Sequence, residues 1–251
     1  MKGYQELAKF HVFSMKDVED LTGNKKSAAS FINRLVKRNL VKKIRKNMYS
    51  CVNVATEDVI ATKYQIACAS SETAYLSHHT AFEYYGTYNQ MFYEVYVSSE
   101  SRFQDYEYEN NRYKYVESRL RDGVVEPNNF PGMRVTDLER TVVDGIKDFE
   151  KIAGIEELLN CLSMVPRLNA DKLARYLDGY GMPGLYQKAG YLLEYYMEEL
   201  PLPKDFIKYC RKKAGNKRCC LTKDLSHIHV YDSKWGLVVP QGLFTIFGQE
   251  G

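Results

Sequence analysis

Between Asp20 and Glu57 the chain carries no carboxylate, while residues 25 to 51, KKSAASFINRLVKRNLVKKIRKNMYSC, hold nine Lys and Arg. No local pairing can neutralise that stretch, so its cations must face solvent or a partner of opposite sign. Periodicity says which residues do so. Advancing 100° per residue from Ala28 puts Ala28, Ile32 and Leu35 on one side of a helix over about 25 to 38, flanked by Phe31 and Val36. Lys26, Ser30, Asn33 and Lys37 fall opposite, with Ser27 and Arg34 beside them. Upstream, SMKDVEDLTGN reads as a short helix with Ser14 as cap, Asp17 in its first turn, and Val18 and Leu21 as its apolar side. Thr22-Gly23-Asn24 ends it, and Asn24 caps the next helix. Downstream, Val41 and Ile44 frame one strand and Tyr49, Cys51 and Val52 another. Lys46-Asn47 serves as the two-residue turn, since asparagine reaches positive φ. A short helix, a tight turn, an amphipathic helix and a basic-tipped hairpin predict a winged helix-turn-helix over residues 1–54.

Such a unit places its second helix in the major groove of double-stranded DNA and its hairpin on the backbone or in the minor groove. Ser30, Asn33 and Arg34 are the candidates for base edges, because Asn and Arg suit adenine and guanine bidentately. Lys25, Lys26, Lys37, Arg45 and Lys46 are expected to hold phosphates, with Ser27 and Asn47 completing the surface. Five phosphate contacts would give a slope of log K against log salt of about −4 to −5. The charge is segregated to match. Residues 1–50 carry 12 Lys and Arg against 4 Asp and Glu, and residues 51–251 carry 23 against 28, so +8 is followed by −5.

The remaining residues, 55–251, read as a mixed α/β body, and the whole chain as α+β. We divide it into 55–148 with sheet and helix, 149–213 mostly helical, and a terminal β-hairpin within 214–251. Thr56 to about Ala69 is expected to be helical, with Glu57 and Asp58 in its first turn. Ser77 is positioned to cap a helix through HHTAFEYY that stops at Gly86. His78 and His79, being adjacent, point about 100° apart and cannot chelate one metal, so one is expected to pack and the other to be partly exposed. Asn110-Asn111 reads as a hairpin turn that pairs Glu109 with Arg112, Glu107 with Lys114, Tyr108 with Tyr113 and Tyr106 with Tyr115. In VTDLERTVVDGI, Thr136 and Glu139 form a capping box, Asp137 strengthens the helix start, and Arg140 and Asp144 are i, i+4 partners. That helix is either simply well capped and ion-paired, or Glu139, Arg140 and Asp144 line a site. Helices follow around IEELLNCLS, after Asn169, from Pro183 and in KDFIKYC, and a hairpin about Asp232-Ser233. RKKAGNKR, 211–218, is a second basic run, read as a loop or an auxiliary contact.

Several classes are set aside. No apolar run approaches the roughly 18 residues a membrane span needs, and MKGYQELAKF lacks a signal-peptide core. A cytoplasmic protein with no membrane partner is therefore expected. The six cysteines form no Cys-x-x-Cys unit and are expected to be reduced. No phosphate-binding glycine loop, nucleophile elbow or zinc-protease motif occurs, so neither a cofactor, a metal nor a conventional enzyme is expected.

The stretch VFSMKDVEDLTGNKKSAASFINRLVKRNLVKKIRKNMYSC resembles the N-terminal regulator domain of the AbiEi family, the antitoxins of the abortive-infection E (type IV) toxin–antitoxin system. Three later stretches occur in that family's order. AYLSHHTAFEYYG is similar to its Ser-His-His block, MRVTDLERTVVDGI to its Val-x-Asp-x-Glu-Arg-Thr-x-x-Asp block, and LARYLDGYGMPGLYQKAGYLLE to the helical block that follows. The resemblance covers about residues 10–200. It marks Ser77, His78, His79, Asp137, Glu139, Arg140, Thr141 and Asp144 as family motif positions without giving them a chemical role. Asn47 stands where many relatives have glycine, and Tyr85 where they often have histidine. The resemblance implies a repressor of its own operon, acting on operator DNA with inverted repeats. It further implies an antitoxin whose nucleotidyltransferase-like toxin is a functional rather than a tight physical partner. Two other readings remain open: a regulator whose body senses a small ligand, and an enzyme acting on nucleic acid or on the toxin's modified target.

Overall fold

The computed structural model describes residues 2–222 and 227–247, and the protein is α+β. In chain order come α1 (Lys2–Ala8), α2 (Met15–Thr22), α3 (Lys25–Lys37), β1 (Val41–Arg45), β2 (Met48–Cys51), α4 (Lys63–Cys68), β3 (Tyr75–Leu76) and α5 (His78–Tyr85). They are followed by β4 (Glu94–Ser99), β5 (Tyr106–Tyr108), β6 (Asn111–Glu117), β7 (Val124–Val125), β8 (Val135–Thr136) and α6 (Leu138–Lys147). After a 3-10 turn (Phe149–Ile152) come α7 (Ile155–Ser163), α8 (Ala170–Tyr180), α9 (Pro183–Tyr195), α10 (Lys204–Lys213), β9 (Cys219–Cys220), β10 (His229–Asp232), β11 (Leu237–Pro240) and α11 (Leu243–Phe247). The chain divides into two compact units, and not at residue 54. One unit comprises Met1–Leu76, Tyr93–Glu117 and Glu126–Val135; the other comprises Ser77–Phe92, Ser118–Val125 and Thr136–Gly251.

In the first unit, α2 starts on a capping box in which Ser14 and Asp17 bond reciprocally, and stops at Gly23 with φ 85°. Asn24 caps α3 by accepting the Ser27 N–H at 2.9 Å. α3 buries Ala28, Ile32 and Leu35, the side that periodicity selects. β1 and β2 pair antiparallel around Lys46-Asn47, with Asn47 at φ 60°. Phe13 and Tyr49 exchange two backbone bonds of 2.9 Å, an isolated antiparallel bridge on the edge of the hairpin. The helix α1 was not expected. It buries Leu7 fully in a cluster with Phe13, Val18, Ala28, Ile32, Leu35, Val41 and Cys51, and Tyr4 donates its hydroxyl to the Val52 carbonyl at 2.6 Å. Gly3 permits the approach, because a Cβ there would meet the Phe31 ring at 2.7 Å.

Two expectations for this unit need correction. α4 does not begin at Thr56: Glu57 sits at φ 61° in a turn, and the cap is Thr62, which forms its capping box with Gln65. The sheet runs β5-β6-β4-β3-β8, with β4 parallel to β6 and β3 parallel to β8. Its hairpin pairs Tyr106 with Tyr113, Glu107 with Arg112 and Tyr108 with Asn111, so the turn is Glu109-Asn110. Relative to the expected register each residue's partner moves by two, which preserves faces. Tyr106 still stacks on a tyrosine, Tyr113, at 4.6 Å, while Lys114 pairs with Glu94 of β4.

The second unit is built on the helices. α6, α7, α8, α9 and α10 bury Val142, Val143, Leu158, Leu162, Leu173, Leu177, Leu192, Leu193 and Phe206 in one cluster that extends to Trp235 and Leu237 of the terminal sheet. Gly190 on α9 is required there, since a Cβ would lie 2.1 Å from the Trp235 ring. Asn169 caps α8 and Pro183 opens α9, as expected. β10 and β11 pair from His229↔Pro240 to Asp232↔Leu237, so the loop spans 233–236 rather than Asp232-Ser233 alone. β9 adds in parallel to β11, and it and α11 were not anticipated. Of the basic run 211–218, the first three residues form the last turn of α10. No helix among the described residues is long and apolar enough to cross a membrane.

Candidate nucleic-acid interface

Of the ten residues expected to face DNA, nine are exposed and Arg45 is half-buried; Arg45 and Asn47 also have bonding partners within the protein. Lys25, Lys26, Ser27, Ser30, Asn33, Arg34, Lys37, Lys46 and Asn47 are exposed, as are Arg38 and Lys43, which periodicity did not single out. Among the described residues none of these cations forms an intramolecular ion pair. The Arg34 guanidinium lies over the Phe31 ring, 5.4 Å from its centroid, which holds its stem against the helix. Lys25 and Lys26 sit in the first turn of α3, where the helix dipole is already positive. Placing cations there weakens the helix by a few tenths of a kcal/mol each, and an anion at that end offsets the loss.

Arg45 and Asn47, expected at the DNA surface, each have a partner within the protein. Arg45 donates to the Ser70 carbonyl at 2.8 Å and lies 4.6 Å from the Tyr106 ring centroid and 5.6 Å from that of Phe103. It ties the hairpin to the sheet of the same unit. A register irregularity between Lys43 and Arg45 turns the strand end inward, and alternation alone does not reveal it. The Asn47 amide oxygen accepts the Met15 N–H at 2.9 Å, which satisfies an otherwise open donor at the start of α2.

In the second unit the family-motif residues are brought together, but inward. Arg140 and Asp144 are 2.7 Å apart and almost wholly buried. Arg140 also donates to the carbonyls of Leu120 and Asp122 at 2.9 and 2.7 Å and to the Tyr180 hydroxyl at 2.8 Å, which in turn donates to Asp144 at 2.5 Å. The cap of α6 is Asp137, whose carboxylate accepts the Arg140 N–H; Thr136 instead bonds the Thr141 hydroxyl at 2.8 Å. That corrects the expected Thr136–Glu139 box. Glu139 accepts the Asn169 N–H at 2.9 Å, and Lys172 reaches both Asp137 and Glu139, at 3.0 and 3.4 Å. The hydrogen bond to Asp137 raises the Lys172 pKa. Burial, followed by the bond its hydroxyl donates to Asp137 at 2.7 Å, pushes Tyr176 up to about 12. These side chains fasten α6 to α8 and to the 120–122 loop.

Ser77, His78 and His79 are all buried, so neither histidine is partly exposed. Ser77 has the backbone of a cap without a side-chain cap bond; its hydroxyl meets His78 Nδ1 at 2.9 Å. His78 sits at φ 53° with Nε2 3.7 Å from Asp148, and His79 Nε2 lies 3.5 Å from Glu157. Burial raises Asp148, but hydrogen bonds from His78 and Lys147 and the charges of Lys147 and Lys151 outweigh it and hold its carboxyl well below the usual range.

No family model and no curated protein matches the chain. Among solved structures, the crystal structure of the RV2827C protein from Mycobacterium tuberculosis superposes with a TM-score of 0.68 at 16% identity, covering 98% of this chain and 93% of that one. The two share a fold.

Proposed function

We propose that the protein is a DNA-binding antitoxin of the AbiEi kind, which represses its own operon and counters a nucleotidyltransferase-like toxin. One observation carries the DNA part. The outward face of α3 and the Lys46 corner of the hairpin bear cations without an ion pair among the described residues and short hydrogen-bonding residues, over a stretch of chain without a single carboxylate. A helix with Ser30, Asn33 and Arg34 along its exposed side suits base edges in a major groove, and Lys25, Lys26, Lys37 and Lys46 suit the flanking phosphates. With Arg45 engaged elsewhere, four of the five expected phosphate contacts remain, so the salt slope is about −3.6 per protomer. The antitoxin part rests on the order and identity of the motif blocks. The buried bonds of Glu139, Arg140 and Asp144 support a structural task for those blocks over an enzymatic one.

The test has two arms. Duplex DNA from directly upstream of the gene, carrying inverted repeats, should be bound and should lose binding with Arg34→Ala/Lys37→Ala. Co-expression with a downstream nucleotidyltransferase-like reading frame should restore growth. Unchanged operator affinity in the double variant refutes the placement of the recognition helix, and no rescue by the full chain refutes the antitoxin reading. One feature favours the ligand-sensing regulator: a cleft of about 400 Å³ in the first unit, lined by Phe10 and Val12 beside α2 and by Cys68, Ser71, Gly132 and Arg134. A metabolite that releases operator DNA would establish that reading.

A further inference from the structure

We infer that the groove between α9 and α10 in the second unit binds single-stranded nucleic acid, independently of the duplex surface on α3. Residues 204–218 carry seven Lys and Arg against one carboxylate, Asp205, in a part of the chain that is otherwise net acidic. The groove has a volume of about 300 Å³. Met197 and Ile207 contribute its apolar floor, and Lys204, Lys208, Arg211 and Lys234 its rim. The one carboxylate among the lining residues, Glu194, is held by Lys234 at 2.6 Å and by the Trp235 indole N–H at 3.0 Å, so it is not free to repel an anion.

Helix stability accounts for only part of these cations: Lys208 pairs with Asp205, one turn back, at 2.9 Å, an exposed pair of small worth. Arg211 and Lys212 suit the negative end of the α10 dipole, but Lys204 lies in the first turn, at the positive end. Lys213, by contrast, is turned to Asp178 and belongs to the other side of α10. Lys204, Lys208 and Arg211 recur at i, i+4 and i+7, about 5 Å apart along the axis, which lets a row of cations follow successive phosphates of one strand. The floor selects what lies between them. An unstacked base presents an aromatic face that a thioether contacts favourably, whereas a duplex keeps its bases stacked inside and has none to offer. Nothing in the groove distinguishes ribose from deoxyribose, so the ligand class is a single strand of either kind.

Fluorescence anisotropy of the full-length protein with fluorescein-labelled rU12, dT12 and the upstream duplex tests this. Lys208→Gln/Arg211→Gln changes two exposed side chains and leaves the fold intact, as circular dichroism should show. The single strands should bind the natural protein, and the variant should weaken that binding at least tenfold. The slope of log K against log salt should become shallower by about 1.4, with duplex affinity unchanged. Tighter binding of rU12 than dT12 identifies RNA as the ligand; equal binding identifies either strand. Three results overturn the proposal: unchanged single-strand affinity in the variant, loss of it in Arg34→Ala/Lys37→Ala instead, or competition by poly-glutamate as strong as by rU12, which makes the groove a site for an acidic protein segment. Because the duplex arm reports on α3 alone, failure here and failure of the operator reading are distinguishable.

Discussion

Two charged regions of the molecule, α3 with the hairpin and α6 with its neighbours, handle their charge in opposite ways. On α3 and at Lys43 and Lys46 of the hairpin the cations stand exposed, without an ion pair among the described residues. Around α6 the charged side chains are buried, and Asp137, Glu139, Arg140 and Asp144 each satisfy a neighbouring helix or loop. An exposed unpaired charge contributes little to folding and is available to a partner. A buried pair contributes through what happens when one member is lost, because the survivor is then an uncompensated charge in a poor solvent. The same residue types are therefore expendable for stability in one unit and indispensable in the other.

Substitutions should separate the two regimes. The largest effect is expected from Asp144→Ala, which strands the buried Arg140 guanidinium and should destabilise the protein by about 3–5 kcal/mol, measured by urea denaturation. A loss below about 1 kcal/mol would break the comparison. Arg34→Ala/Lys37→Ala should leave the denaturation midpoint in place while flattening the operator salt slope by about 0.9, the share of the Lys37 phosphate contact. Arg45→Ala should do the reverse, costing about 1.5–3 kcal/mol through its charged bond to Ser70 and changing the salt slope little. The acid range sharpens the contrast. Asp148 has a folded-state pKa below its unfolded one, so its contribution is complete above the unfolded carboxylate pKa of about 4 and is lost as pH falls below it. Asp148→Asn should destabilise at pH 7, and its gap from the natural protein should narrow steadily as pH falls below about 4, in pH-dependent thermal melts. The smallest change is expected from Asn47→Gly: the φ of 60° is kept, and one bond to Met15 is lost, for about 0.5–1.5 kcal/mol.

Sequence patterning located the exposed surface well, because amphipathic period and capping chemistry are local. Asn24, Ser14 and the buried Ala28, Ile32 and Leu35 are all readable within a dozen residues. What escaped depends on residues far apart. Arg45 looks like its neighbours until Ser70 and Tyr106 are brought to it, and a two-residue slip in the β5–β6 register keeps every face and so leaves no trace in the alternation. Adjacent histidines at 78 and 79 say nothing of Asp148 and Glu157, which lie some 70 residues on. The start of α4 was missed for a local reason: Glu57 and Asp58 look like first-turn acids but belong to a left-handed turn.

The chain passes between its two units five times, the last of them at Thr136. During synthesis, the cluster that backs α3 draws only on residues 4 to 60, so it can pack while most of the protein is still untranslated. The first unit as a whole cannot close until Val135 has left the ribosome. With translation adding about 5–20 residues per second, several seconds separate the two events. In that interval the nascent polypeptide already carries a packed basic helix, ahead of the buried charges of α6.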